Sequence, residues 1–296
     1  MREFSRRGPA PLTTLPSVRA ALRPASISEC AELELFRLLR RYRALLAEMV
    51  RRELTQQYAG QVLGALWAIG HPLVQTGVYV FLFAVIFNTK IGGTYELPLD
   101  YTAYLLSGLL PWIAAQQSLI LTSTAISANA SLVKQVVFPI EILPLKSVIS
   151  SVVPQLIGTA GLVVYVFATH GTPPLTYLLL PALIACQCAA MAGIGFLLAA
   201  CGAFLRDLKD VVQVFALINA YLIPVFYLPS WVPHLFQPII YINPFSYMIW
   251  CYQDAFYFGR FEHPVAWLVF AIGGFLIFGL GYRAFRYLKP SFGNVL

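Results

Sequence analysis

The sequence predicts an all-α polytopic membrane protein with six transmembrane helices, an amphipathic interface helix ahead of them, and short re-entrant helices between the fifth and sixth. Three observations predict it. Of 296 residues, 59% are hydrophobic and 11% charged, with a mean hydropathy of +0.72, more apolar surface than one soluble core hides. Apolar runs reach the roughly 20 residues that a helix needs to cross a bilayer. Those runs are rich in Leu, Val, Ile and Phe and lack the two-residue alternation of barrel strands.

Residues 1–28 carry arginines and Pro9, Pro11, Pro16 and Pro24 but no apolar core or small-residue cleavage site, so they are expected to be a flexible basic tail. Within 29–60, Leu35, Leu38, Leu39, Tyr42, Leu45, Leu46, Met49 and Val50 fall at helical three- and four-residue steps, with arginines and glutamates between them. That pattern predicts a helix lying in the membrane interface, its arginines among the headgroups. The spans follow at 66–87, 101–122, 148–169, 175–198, 211–228 and 265–282. Residues 229–261 are too apolar for an ordinary loop, yet Pro229, Pro233, Pro238 and Pro244 cut them into pieces shorter than a span. Two short helices dipping back into the membrane fit that pattern.

Eighteen of the 20 lysines and arginines fall on one side of this arrangement, and only Lys90 and Arg260 on the other. Both termini and the loop after the second span are therefore expected in the cytoplasm. Basic loops facing anionic lipid explain the net charge of +7 without nucleic acid. The five cysteines show no paired CxxC spacing and no neighbouring histidine, and read as packing residues.

The sequence has no HExxH, GxSxG or paired-acid metal motif, and no GxxxxGKS or GxxxxGKT phosphate cradle. No metal or catalytic residue is assigned; if ATP drives the protein, another chain binds it. Intramembrane rows of carboxylates or basic residues, the mark of ion-coupled transport, are missing too. The segment SANASLVKQVVFPIEILPL, residues 127–145, carries more than a loop requires. A short cytoplasmic amphipathic helix over 126–136 would be stopped at Phe138-Pro139 and protrude as a peg suited to a partner's groove. Pro144 starts the re-entry, and Glu141 and Lys146 can pair with each other or face headgroups.

YAGQVLGALWAIGHPL (58–73), LLSGLLPW (105–112), the 127–145 segment and FLRDLKDVVQ (204–213) together resemble the membrane subunits of type-2 ABC transporters that export polysaccharides, above all the O-antigen (lipopolysaccharide) permeases. Ile140 stands where a basic residue is common in that family, and His71 where asparagine is. The resemblance implies a bacterial inner-membrane homodimer docked on two copies of a cytoplasmic ATP-binding subunit, which supplies ATP and Mg. It makes residues 127–135 the coupling helix, with Ser127, Asn129, Ser131, Leu132, Val133, Lys134 and Gln135 meeting the ATPase. It implies as cargo a polysaccharide on an undecaprenyl pyrophosphate carrier, moving from cytoplasm to periplasm. Capsular polysaccharide or teichoic acid exporters share the architecture, and a membrane-bound glycosyl or lipid-carrier transferase is the rival from another class.

Residues compatible with such a cargo can be named. Fourteen of the 42 aromatic residues crowd 221–261. Tyr221, Phe226, Tyr227, Tyr247 and Trp250 are candidates for a glycan path, since apolar sugar faces stack on aromatic rings; an interfacial aromatic belt is the alternative. Gln116 and Gln117 on the second span can bond sugar hydroxyls or neighbouring helices. Arg51, Arg52, Lys134 and Lys146 are candidates for a pyrophosphate entrance, or for anchoring to lipid.

Overall fold

A computed structural model describes residues 37–57, 66–86, 99–135 and 138–292, and no strand occurs among them. The basic tail, the start of the interface helix, Lys90 and part of the 58–73 motif lie outside the described residues. Helix α1 (Arg43–Gln57) falls within the predicted interface helix. Its Val50 is buried, and the helix lies along the first turns of the long helix that begins at Ile142, so part of its apolar face meets protein.

Among the described residues, five helical stretches are long and apolar enough to cross a membrane. The first is α2 (Trp67–Val80), continued by a wider π-helical turn, Phe81–Ile86. Pro72 interrupts its backbone ladder, and Thr76 Oγ1 donates to the Pro72 carbonyl at 2.8 Å. Helix α3 (Tyr101–Ser123) is the central post, with buried residues in nearly every turn. Helix α5 (Ile142–His170) begins six residues before the predicted span (148 − 142) because Pro144 sits in its first turn, where no backbone donor is required. Helix α6 (Leu180–Phe204) follows a 3₁₀ turn, Leu175–Leu179, and α10 (Pro264–Leu288) closes the bundle. Helices α6 and α10 touch backbone to backbone: a Cβ on Gly281 would overlap the Gly193 carbonyl. Such small-residue crossings suit packing in lipid, where close van der Waals contact replaces hydrophobic burial.

The fifth predicted span, 211–228, is helical only as far as Leu222. Helix α7 (Leu208–Leu222) has 15 residues, about 22 Å against the roughly 30 Å of a hydrocarbon core. It stops where Pro224 forces the residue before it out of the helical region, and Ile223 adopts φ −98°, ψ 152°. Asp207 occupies the N-cap position, but its side chain makes no capping bond.

Two short helices fill the proline-cut stretch, α8 (Gln237–Ile242) and α9 (Pro244–Gln253), the latter extended by a π-helical turn, Asp254–Phe258. The start of α9 sits deep in the bundle, since Phe245 packs edge-on against Trp112, halfway along α3, at 5.4 Å. Its far end rises to the top of α3, where Tyr257 donates to the Leu99 carbonyl at 3.1 Å. Asn243, capping α9, also donates to the buried Asn219 of α7 at 2.6 Å. At the bundle's centre Gln155, Gln187 and Tyr252 bond one another, and Gln187 also donates to the Pro111 carbonyl at 3.3 Å.

Candidate functional site: a peg and groove at one end of the bundle, an aromatic cluster at the other

The peg grows from the foot of α3. After Ser123 the chain turns through buried Ala125 and Ile126, passes a 3₁₀ turn (Ser127–Asn129) and enters α4 (Ala130–Gln135). Two side chains stiffen the turn: Asn129 Nδ2 donates to the Ala125 carbonyl at 2.8 Å and Ser127 Oγ to the Thr124 carbonyl at 3.2 Å. Leu132 and Val133 are half-buried against the core, while Ser127, Ser131 and Lys134 face outward. The sequence places all seven coupling residues on one peg. The structure sorts six of them by face, and the side chain of Gln135 lies outside the described residues.

Between the peg and α1 runs a groove of about 630 Å³, with Met49, Arg52, Glu53 and Gln56 on one wall, Asn129, Ser131 and Leu132 on the other, and Lys146 also lining it. The predicted Glu141 and Lys146 pairing is not made. Lys146 Nζ donates instead to Glu53 Oε2 at 2.6 Å, and Lys289 Nζ to Glu141 Oε1 at 2.6 Å. Both carbon stems emerge at the foot of α5 but reach toward different neighbours.

The four basic entrance candidates are not gathered in one place. Arg52 and Lys146 share the groove, and Lys146 is already engaged by a carboxylate. Arg51 borders a separate apolar crevice of about 540 Å³ between α1 and Ile149 of α5, whose rim also carries Arg43. Lys134 stands on the exposed side of the peg.

The glycan-path candidates divide similarly. Tyr221 stacks on Phe226 at 5.7 Å, and Tyr227 donates to the Tyr221 carbonyl at 3.0 Å, so these three form one exposed corner above α7. Tyr247 donates to the Tyr241 carbonyl at 2.7 Å and meets Trp250 edge-on. Trp250 itself is 3% exposed and lies flat on the His263 ring at 5.4 Å, a core position within the chain. Gln116 and Gln117 are half-buried on the inner half of α3, about 18 Å along the axis from Tyr104, whose hydroxyl reaches the Tyr227 carbonyl. Gln117 borders a narrow crevice with Pro72 of α2 and Gln155 of α5.

Sequence reasoning missed a cluster at the outer end. Asp254 is buried and takes the His263 ring Nδ1 at 2.8 Å, the His263 backbone N–H at 2.9 Å and the Trp267 indole N–H at 3.0 Å. The available signal was a lone carboxylate in an apolar segment, which must find donors to be buried at all. Nearby, Tyr165 donates to Asp100 at 2.7 Å.

A bundle of apolar helices long enough to cross a membrane, with a stiffened peg at one end and an aromatic cluster at the other, fits the transporter-permease class to which the motifs pointed. Residues 44–257 match the ABC-2 type transporter family, and the chain belongs to it. It is 27% identical over 253 residues to an O-antigen export system permease protein RfbA of Klebsiella pneumoniae, covering 85% of this chain and 95% of that protein. A second K. pneumoniae RfbA matches with the same identity and coverage. An RfbA of Myxococcus xanthus is 29% identical over 227 residues, 76% of this chain and 85% of its own length. The family read from the four motifs is borne out.

Proposed function

We propose that the chain is the membrane-spanning permease subunit of an ATP-driven exporter that moves undecaprenyl-pyrophosphate-linked O-antigen polysaccharide from cytoplasm to periplasm. Two copies form the pathway in the bacterial inner membrane, each docked on a cytoplasmic ATP-binding subunit, with both termini cytoplasmic. ATP and Mg belong to that partner. One observation carries the reading: a peg braced by its own side chains presents Ser127, Ser131 and Lys134 beside a groove, in a family member whose relatives bear the name of O-antigen export permeases. A rigid projection transmits a push, whereas a slack loop absorbs it.

In this reading α8 and α9 are re-entrant, and the Tyr221, Phe226 and Tyr227 corner with Tyr247 offers stacking faces to sugar rings. Arg51 and Arg52 meet the pyrophosphate on either side of α1. Trp250 serves by holding Tyr247 from beneath.

The test replaces the outward face of the peg. Ser131→Glu with Lys134→Glu leaves Leu132 and Val133 packed, so the protein inserts and stays monodisperse in detergent, but it should no longer co-purify with its ATPase, and export should stop. Retention of the ATPase by that variant removes the peg from the coupling role.

A further inference from the structure

The foot of α5 is held by two ion pairs that reach far across the sequence. Lys146 bonds Glu53 of α1, 93 residues away, and Glu141 bonds Lys289, which follows the last residue of α10, 148 residues away. Glu141 and Lys146 are both nearly inaccessible, at 4% and 7% exposure. Burying charge is costly unless the geometry is good, and such pairs better explain how elements are held in one arrangement than how much stability they add. Among the described residues the second oxygen of Glu141 is buried without a hydrogen-bond partner, and Lys289 is the group that holds this carboxylate.

The position of these pairs matters because the peg empties into them. Beyond α4 the chain returns through Phe138 and Pro139 to Glu141. The Pro139 and Ile140 carbonyls accept the backbone N–H groups of Ile142 and Leu143 at 3.1 and 3.0 Å. A proline-stiffened turn, Pro139 to Glu141, therefore leads directly into the first turn of α5. On its other side the peg is rooted in α3, where a Cβ on Gly202 of α6 would overlap the Ser123 carbonyl.

We infer that Glu53–Lys146 and Glu141–Lys289 are transmission struts: they bind α1 and the inner end of α10 to the foot of α5, so that displacement of the peg moves all three as one body. The inference rests on the coupling role proposed above and adds which residues distribute the motion. Glu53 and Lys146 sit at the edge of the groove beside the peg, already engaged with each other. These are positioning residues; none is required to touch polysaccharide or nucleotide.

The experiment uses the complete transporter in cells lacking their own copy of this subunit. Glu53→Lys, Lys146→Glu, Glu141→Lys and Lys289→Glu are made singly and as the two exchanged pairs. Co-purified ATPase, ATP turnover in membranes and polysaccharide reaching the cell surface are measured for each. Each single variant should keep its ATPase and its ATP turnover while export per ATP falls by roughly tenfold, a typical size for a lost coupling between sites. Each exchanged pair should recover export to within about twofold of the unaltered protein.

Parallel loss of ATPase binding, turnover and export in the singles, or no recovery in the exchanged pairs, would assign the pairs to folding alone and overturn the inference. Singles that export normally overturn it as well. If a single variant does not accumulate, Glu53→Gln and Lys289→Gln take its place, removing charge while keeping a hydrogen-bonding group, with the same readings. An unaltered chain that retains no ATPase would refute the proposed function instead, a result visible before any strut is changed.

Discussion

The two ends of the bundle use opposite chemistry to do the same job of tying helices together. At the end that carries the peg, lysines and glutamates from distant elements meet in ion pairs around the foot of α5. At the outer end, neutral groups do most of the work. Tyr101 and Tyr104 donate to carbonyls of the turn that follows α7, Gln253 to the Pro224 carbonyl, and Thr176 and Tyr177 to carbonyls at the top of α9. A hydroxyl bonded to a carbonyl is indifferent to salt and holds an irregular backbone in place, as a proline-broken turn among apolar neighbours requires. Paired charges bind more weakly in water but respond to whatever covers or exposes them. The outer end is thus built to stay, and the inner end to respond.

The sharpest way to break this contrast is to disturb the root of the peg. Gly202→Val drives a side chain into the Ser123 carbonyl at the α3 and α6 crossing, between two backbones that cannot both yield. It should cost on the order of 3 kcal/mol and leave little monodisperse protein in detergent. The buried exception at the outer end comes next. Asp254→Asn keeps the shape but replaces one accepting oxygen with a donor facing the N–H groups of His263 and Trp267. A loss of about 1–3 kcal/mol, read as a lower thermal midpoint, is expected, with the ATPase still bound. Arg260→Ala is the smallest: its pair with Glu262 is exposed, and removal should shift the midpoint by an amount within the roughly 0.5 kcal/mol typical of surface changes. A large effect there would erase the distinction between the outer end's neutral bonds and its surface charges.

Much of this arrangement is legible along the chain, because the signals are local. Long apolar runs give the five spanning helices, and Phe138-Pro139 marks where the peg must stop. The fifth predicted span runs past the end of its helix because Ile223 to Leu228 is as apolar as a helix, while Pro224 turns the backbone out of the helical region at Ile223. Pairing is harder to read. Glu141 lies five residues before Lys146, so sequence distance favours them, yet the helix turns their side chains to different neighbours and the actual partners come from α1 and the end of α10. Trp250 is hidden from sequence reasoning in the same way. An aromatic residue in a crowded stretch suits a pathway or a core equally, and only tertiary packing laid it on His263.

The Gln155, Gln187 and Tyr252 network is polar yet carries no formal charge. Sliding or tilting the helices that meet there moves no elementary charge through the electric field, which would otherwise contribute about 2.3 kcal/mol per charge per 100 mV. The resting voltage of the cell therefore has no handle on these three side chains, and whatever response to it the helices make must come from the charges at their ends.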